Sequence, residues 1–201
     1  MKNIENLFSK RSSTQIFKSA FKEILPCKGT WFSFTLIIVL IGVPSCVIGF
    51  SDKTIEFFIA SVEILNNIIL ALFAVVFTGY AFFQALINKE FLVRLLSNTN
   101  GKKSKLQESN EYFANVMMLD VFAIISNAFL LITFKSIPNE FCLFSENWIN
   151  NILAILLIWI YFSLMFLIIW EMKSFVYNAF QLFNAHAGAK AITLLKDEKE
   201  E

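Results

Sequence analysis

Four long stretches of the chain are almost free of charged residues, and each is at least 20 residues long. They cover residues 31–50, 57–88, 112–134 and 147–170. A helix rises about 1.5 Å per residue, so about 20 residues cross the roughly 30 Å hydrocarbon core of a bilayer. A soluble helix of this length would carry a polar stripe, which these stretches nearly lack. The pattern predicts an all-α integral membrane protein in which four spans form a helix bundle.

Positive charges alternate along the chain in the way that insertion into a membrane requires. The segments before, between and after the four spans carry six, one, five, one and four Lys or Arg residues. Cationic loops are retained in the cytoplasm during insertion. The alternation predicts a multi-pass protein with both termini in the cytoplasm. The abundance of Phe, Ile, Asn and Lys, whose codons are AT-rich, favours a bacterial source and hence the bacterial inner membrane.

These features divide the chain into three predicted parts. Residues 1–30 form a cytoplasmic segment, residues 31–170 form the four-span domain with a cytoplasmic loop at 89–111, and residues 171–201 form a cytoplasmic helix with a charged tail. Six apolar residues of the first part share one helical face: Ile16, Phe17, Ala20, Phe21, Ile24 and Leu25. This spacing predicts an amphipathic helix. The helix lies either along the membrane surface or against the cytoplasmic end of the bundle.

The cytoplasmic segments also provide a predicted partner-coupling surface. We expect residues 91–96 to extend the second span as a helix, followed by a polar turn at 97–104. After Trp170 the apolar positions continue at helical spacing, with an expected break at Gly188. An apolar face beyond the bilayer must pack against the amino-terminal helix, a second subunit or a soluble partner. The surface comprises Lys102, Lys103, Lys105, Phe180 and Phe183.

The lysine cluster has several interpretations. A solvated loop or topology signal is the simplest, and contact with lipid headgroups is an alternative. We expect no direct binding of nucleic acid. The outer segments between spans are too short to form a domain, so any soluble contact is expected inside the cell.

Polar residues inside the spans form a predicted intramembrane polar seam of Glu63, Asn67, Thr78, Asp120 and Asn127. The second span carries a row of small and polar residues at helical spacing: Ala60, Glu63, Asn67, Ala71, Ala74, Thr78, Ala81 and Ala85. Such rows serve as helix-packing seams or line an aqueous path. Lys135, at the same end of the bundle as Glu63, is its expected ionic partner.

Residues for catalysis or metal binding are scarce. The chain has one histidine, His186, so a site with several histidine ligands is excluded. We expect no enzyme activity, cofactor or metal. Cys46 and Cys142 both fall near the predicted outer face, where a disulfide is one open alternative.

The size and layout resemble the small membrane subunits of bacterial antiphage defence systems, in particular the KwaA family of Kiwa systems. The resemblance rests on the four-span plan, on the segment FTGYAFFQALIN at residues 77–88 and on NEYF at residues 110–113. It implies a homo-oligomeric, tetrameric membrane sensor coupled to a cytosolic DNA-binding partner, KwaB. The four-span accessory proteins of RNA-targeting CRISPR systems are similar in layout only.

The expected function is therefore a non-enzymatic membrane sensor or scaffold that oligomerises and recruits a cytosolic effector. The alternative is an oligomeric pore-forming effector that depolarises the inner membrane. A small transporter is a third possibility, which would also need oligomerisation.

Overall fold

The structure is a computed structural model that describes residues 11–25, 29–100, 103–138 and 141–200. These residues form six helices and one short antiparallel hairpin. In chain order the elements are α1 (Ser13–Glu23), α2 (Trp31–Gly49), α3 (Thr54–Leu86), α4 (Lys89–Ser97), β1 (Thr99–Asn100), β2 (Lys103–Ser104), α5 (Lys105–Lys135) and α6 (Asn147–Glu200).

Helices α2, α3, α5 and α6 are each long enough and apolar enough to cross a membrane. They coincide with the four predicted spans to within two residues at the shorter ends, and they confirm the all-helical class. The shortest, α2, has 19 residues, which is about one hydrocarbon thickness at 1.5 Å per residue. Helix α3 begins three residues before its predicted span and ends two residues short of it. Helices α5 and α6 extend beyond their predicted spans, because polar residues at their ends continue the helical backbone.

The chain forms two compact units, both discontinuous in sequence. The first unit comprises Met1–Phe21, Phe73–Leu119 and Glu171–Glu201, and the second comprises Lys22–Leu72 and Asp120–Trp170. Helices α3, α5 and α6 contribute residues to both units.

The core of the first unit is an aromatic cluster centred on Phe113. Its ring stacks on Phe83 at a centroid distance of 5.7 Å and meets the edge of Phe175 at 5.8 Å. Gly79 permits the approach of α6 to α3, since a Cβ atom there would lie 2.8 Å from the Phe175 ring. The buried core residues are Val76, Phe83, Phe91, Leu95, Leu106, Phe113, Val116, Phe175 and Ala189.

The second unit packs apolar residues that recur every three, four or seven positions along each helix, as expected for interlocking helix faces. They are Phe34, Ile41 and Ile48 on α2, Phe58, Val62, Leu65 and Ile69 on α3, Ala123 on α5, and Ile158, Tyr161, Phe162, Met165 and Ile168 on α6. Helices α2 and α6 approach closely at Gly49, where a Cβ atom would overlap the Ile155 side chain. The Trp159 indole donates a hydrogen bond to the Ile38 carbonyl at 2.8 Å.

Residues 91–96 are helical, but the prediction that they continue the helix of the second span is wrong. Helix α3 ends at Leu86, and α4 starts afresh at Lys89. Asn88 is extended at ψ 177°, and its side chain accepts a hydrogen bond from the Phe91 amide at 2.8 Å. This N-cap satisfies a free amide of the new helix and ends the old one. The following turn is the β1–β2 hairpin, which pairs Thr99 with Ser104.

The expected break at Gly188 is also wrong. Helix α6 runs through this glycine to Glu200, so the predicted carboxy-terminal helix continues the fourth span. A glycine costs a helix only about 1 kcal/mol relative to alanine. The neighbouring Ala189 is buried in the core of the first unit, and this packing offsets that cost.

The amino-terminal segment forms α1 within the predicted amphipathic region. Ala20 is fully buried, and the Ser19 hydroxyl accepts a hydrogen bond from the Asn115 amide of α5 at 3.3 Å. These contacts join α1 to another helix of the first unit. They favour packing on the protein itself over a free position on the membrane surface.

Candidate intramembrane seam and partner-coupling surface

A buried polar face runs along α5 in the second unit. Asp120, Ala123 and Asn127 are spaced three and four residues apart, which places them on one side of the helix. All three are at most 1% exposed. The Tyr161 hydroxyl of α6 donates a hydrogen bond to Asn127 Oδ1 at 2.9 Å. The ring of Phe58 packs edge-on against Tyr161, at a centroid distance of 5.4 Å, and shields this bond.

Two polar atoms on this face have no hydrogen-bond partner, namely Asp120 Oδ2 and Asn127 Nδ2. Asp120 and Asn127 are seven positions apart in the sequence, so they lie about 10 Å apart along the helix axis. A single ion or water molecule therefore cannot contact both. Buried polar groups without partners are rare in native proteins and call for an explanation at each position.

Glu63 and Lys135 form the ion pair that the sequence predicts. The Lys135 ammonium lies 2.6 Å from Glu63 Oε1, and the side chains are 56% and 45% exposed, respectively. The pair joins α3 to the end of α5. It is a surface contact, separate from the buried face of α5.

The small and polar row of α3 is not used for packing within the chain. Seven of its eight members are exposed: Ala60, Asn67, Ala71, Ala74, Thr78, Ala81 and Ala85. Thr78 donates its hydroxyl to the Ala74 carbonyl of its own helix at 2.8 Å. The predicted seam is therefore two separate features, because Asn67 and Thr78 lie on the exposed α3 row while Asp120 and Asn127 are buried.

Two lysines of the predicted coupling surface form ion pairs within the first unit. Lys103 pairs with Glu111, and Lys105 pairs with Glu108 at 2.7 Å. Glu111 also forms an ion pair with the Arg11 guanidinium at 3.0 Å and accepts a hydrogen bond from the Gln107 side-chain amide at 2.8 Å. Glu111 thus ties the amino-terminal segment and the hairpin to α5. The third predicted lysine, at position 102, lies outside the described residues.

The two aromatic residues of the predicted coupling surface are exposed. Phe180 and Phe183 are 58% and 47% exposed. Val176 and Tyr177, on the preceding turn of α6, are exposed as well. We call these four residues the α6 apolar surface.

His186 lies beside this surface but faces inward. Its ring meets the Phe91 ring nearly at a right angle, at a centroid distance of 5.2 Å, and its Nδ1 atom is buried without a partner. Within the described ranges, no three His, Cys, Asp or Glu residues form a group that could hold a metal ion. Cys46 and Cys142 are exposed free thiols, so the structure contains no disulfide between them.

Three residues that organise these features are not among those predicted from the sequence. Tyr161 lies within the apolar stretch 147–170, and a tyrosine in such a stretch needs a partner for its hydroxyl. Glu111 lies among several cations, a local signal for an ion-pair cluster. The role of Gly49 depends on Ile155, more than a hundred residues away, and no local signal reveals it.

Neither a protein-family model nor a curated protein nor a solved structure matches this chain. The resemblance to the KwaA family therefore stays a prediction.

Proposed function

We propose that this protein is a non-enzymatic, homo-oligomeric membrane scaffold or sensor that recruits a cytosolic effector in bacterial antiphage defence. The observation that carries the proposal is the α6 apolar surface, which lies beyond the predicted fourth span. The antiphage role and the effector, a KwaB-like protein, come from the resemblance alone.

The length of α6 supports the need for a partner. Thirty of its residues follow Trp170, and they extend about 45 Å at 1.5 Å per residue. With the fourth span at residues 147–170, as the sequence predicts, this part of the helix would lie outside the hydrocarbon core, where water would contact the α6 apolar surface. Contiguous apolar patches on soluble surfaces commonly mark interaction sites. The charge alternation of the sequence favours a cytoplasmic position for this segment, so the proposed partner is a soluble cytosolic protein.

The exposed α3 row supports a homo-oligomer. Its small residues allow a second helix to approach closely. The Asn67 amide makes no side-chain hydrogen bond within the described part of the chain, although it lies near the middle of an apolar span. A second copy of the same row would supply polar partners in a medium where lipid supplies none. The tetrameric number comes from the resemblance, and lipids cover the remaining apolar surface.

Co-purification tests the effector assignment directly. The full chain is co-expressed with the soluble product of a neighbouring gene and purified in mild detergent. The double variant Phe180→Ser, Phe183→Ser should lose the partner by at least about tenfold in affinity, because it removes two large apolar contacts of the kind that dominate interfaces. Phe141→Ser is the matched control, since Phe141 is equally exposed but lies between α5 and α6. A double variant that retains the partner would contradict the assignment.

Reversal of Lys103 is a less specific test. It would break the ion pair with Glu111 and disturb the first unit, so a loss of binding would have two explanations. Deletion of residues 190–201 is sharper, because it removes the end of α6 while the α6 apolar surface and the buried core residue Ala189 stay. Binding that survives the deletion would place the contact on that surface, and binding that is lost would extend the contact to the tail.

The second candidate function is an oligomeric pore. One observation favours it: Glu63, Asn67 and Thr78 belong to a single row on α3, which could face a central path in an oligomer. Liposomes with purified protein distinguish the two functions, since a scaffold conducts nothing. If the pore forms, Asn67→Leu should reduce ion flux, whereas Asn151→Leu, on α6 and outside the α3 row, should leave it unchanged.

A further inference from the structure

Asp120 is the most deeply buried acid in the described part of the chain. Its residue is 1% exposed, and its Oδ2 atom has no hydrogen-bond partner. It lies on α5 with Ala123 and Asn127 on the same face, both fully buried. The carboxyl group is therefore surrounded by protein instead of water or lipid headgroups.

No charged group of the second unit balances this carboxyl. The other charged side chains described in that unit are Lys22, Glu23, Asp52, Lys53, Glu56, Glu63, Lys135 and Glu146. Two of the cations form ion pairs with other carboxylates: Lys135 pairs with Glu63, and Lys53 pairs with Glu56. Among the described residues, no ion pair includes Asp120.

An isolated carboxylate in such a place is strongly disfavoured. Removal of an ionised group from water costs far more than removal of a neutral one, and a buried group instead becomes neutral. Neutralisation requires a cationic side chain, a bound metal cation or a proton. None of the described cationic side chains lies within ion-pair distance of Asp120. A metal cation such as Na⁺ needs several oxygen ligands, and Asn127 Oδ1 is about two helical turns away and already bonded to Tyr161.

We propose that Asp120 is a proton-binding site, in which the carboxyl group takes up one proton when the second unit is folded. The neutral acid is both a donor and an acceptor, and release of its proton leaves a negative charge inside the bundle. Proton release therefore favours an altered packing of α5 that admits water or a cation. This inference rests on the burial of Asp120 and is independent of the proposed effector.

Carbon-13 spectroscopy of the carboxyl carbon tests this proposal on the full chain in lipid nanodiscs. The chain contains only three aspartates, Asp52, Asp120 and Asp197, so selective aspartate labelling yields three carboxyl signals. Asp52→Asn and Asp197→Asn assign them by elimination, without a change at the buried position. Spectra are recorded between about pH 5 and about pH 9, a range in which an exposed aspartate is ionised. Exposed Asp52 thus provides the carboxylate reference.

We expect the Asp120 signal at the carboxylic-acid position at neutral pH, separated from the Asp52 signal, with a shift towards the carboxylate position only as the pH rises. Replacement of Na⁺ by a large organic cation should leave the signal unchanged. An Asp120 signal that coincides with the Asp52 reference at neutral pH would overturn the proposal. A signal that follows the Na⁺ concentration would also overturn it, in favour of a metal-cation site.

Discussion

The hydroxyl of Tyr161 on α6 donates a hydrogen bond to the side-chain oxygen of Asn127 on α5, at 2.9 Å and within the buried interior of the second unit. A polar bond between two spans fixes both their rotation and their relative height, because lipid offers the two groups no alternative partner. Apolar contacts alone would tolerate a rotation of either helix more readily. The bond therefore selects one arrangement of α5 against α6.

Tyr161→Phe should lower the free energy of unfolding by about 0.5–2 kcal/mol, since it leaves Asn127 Oδ1 buried without a donor. Unfolding in mixed detergent micelles measures the change. Tyr177→Phe is the matched control, because Tyr177 is exposed on α6, and it should change stability by less than about 0.5 kcal/mol. Equal effects of the two substitutions would show that the buried hydrogen bond contributes nothing specific.

Charge exchange tests the contact between Glu63 and Lys135. Glu63→Lys should weaken the attachment of α3 to α5, and the double exchange Glu63→Lys, Lys135→Glu should restore it. Because both side chains are about half exposed, the coupling energy in a double-mutant cycle should stay near or below about 1 kcal/mol. The exposed pair Lys53–Glu56, joined within one turn, is the control and should show less coupling. A double exchange no more stable than the single variants would argue against the pair.

Gly49→Ala should destabilise the protein, although alanine is the better helix former. The added methyl group would overlap the Ile155 side chain and lie 3.2 Å from the Ile155 backbone nitrogen. Overpacking of this kind costs about 1–3 kcal/mol. Gly42→Ala is the control on the same helix, because the nearest atom there is 3.8 Å away. Thermal aggregation of the two variants in detergent should differ clearly, and equal melting temperatures would refute the close approach.

Cysteine cross-linking tests the exposed α3 row as an interface between copies. The native cysteines are first replaced by serine, because Cys46 and Cys142 are exposed free thiols. Ala74→Cys should then form a covalent dimer under oxidising conditions in native membranes. Ile69→Cys is the control, since Ile69 on the same helix is fully buried. A monomer at both positions would remove the α3 row as the interface.

Local signals in the sequence were sufficient for most of the secondary structure. The first predicted span, 31–50, differs by one residue from α2 (Trp31–Gly49), because uninterrupted apolar runs leave the helix as the only stable form in lipid. The break before α4 also has a local cause in the N-cap residue Asn88. The sequence pattern predicts no break at this point, because the apolar positions at 91–96 continue at helical spacing.

The ion pair of Glu63 and Lys135 was predictable because both residues belong to the same end of the bundle and carry opposite charges. Whether the remaining polar residues of the predicted spans are buried or exposed was not predictable from the sequence. Asn67 and Asn127 occupy similar positions within their spans, yet Asn67 is exposed and Asn127 is fully buried. The residue type and its spacing from neighbouring small residues are similar at the two positions, so the sequence does not distinguish the exposed asparagine from the buried one.

The sequence by itself determined that four segments are helices long and apolar enough to span a membrane, and which ends carry positive charge, because hydropathy and charge are properties of each segment alone. The tertiary structure decided which face of each helix is turned inward. It buried Asp120 and Asn127, left the α3 row exposed and brought Gly49 against Ile155. The physical reason is that helix rotation depends on the fit between surfaces far apart in the chain, where a single methyl group or hydrogen bond selects one packing over another.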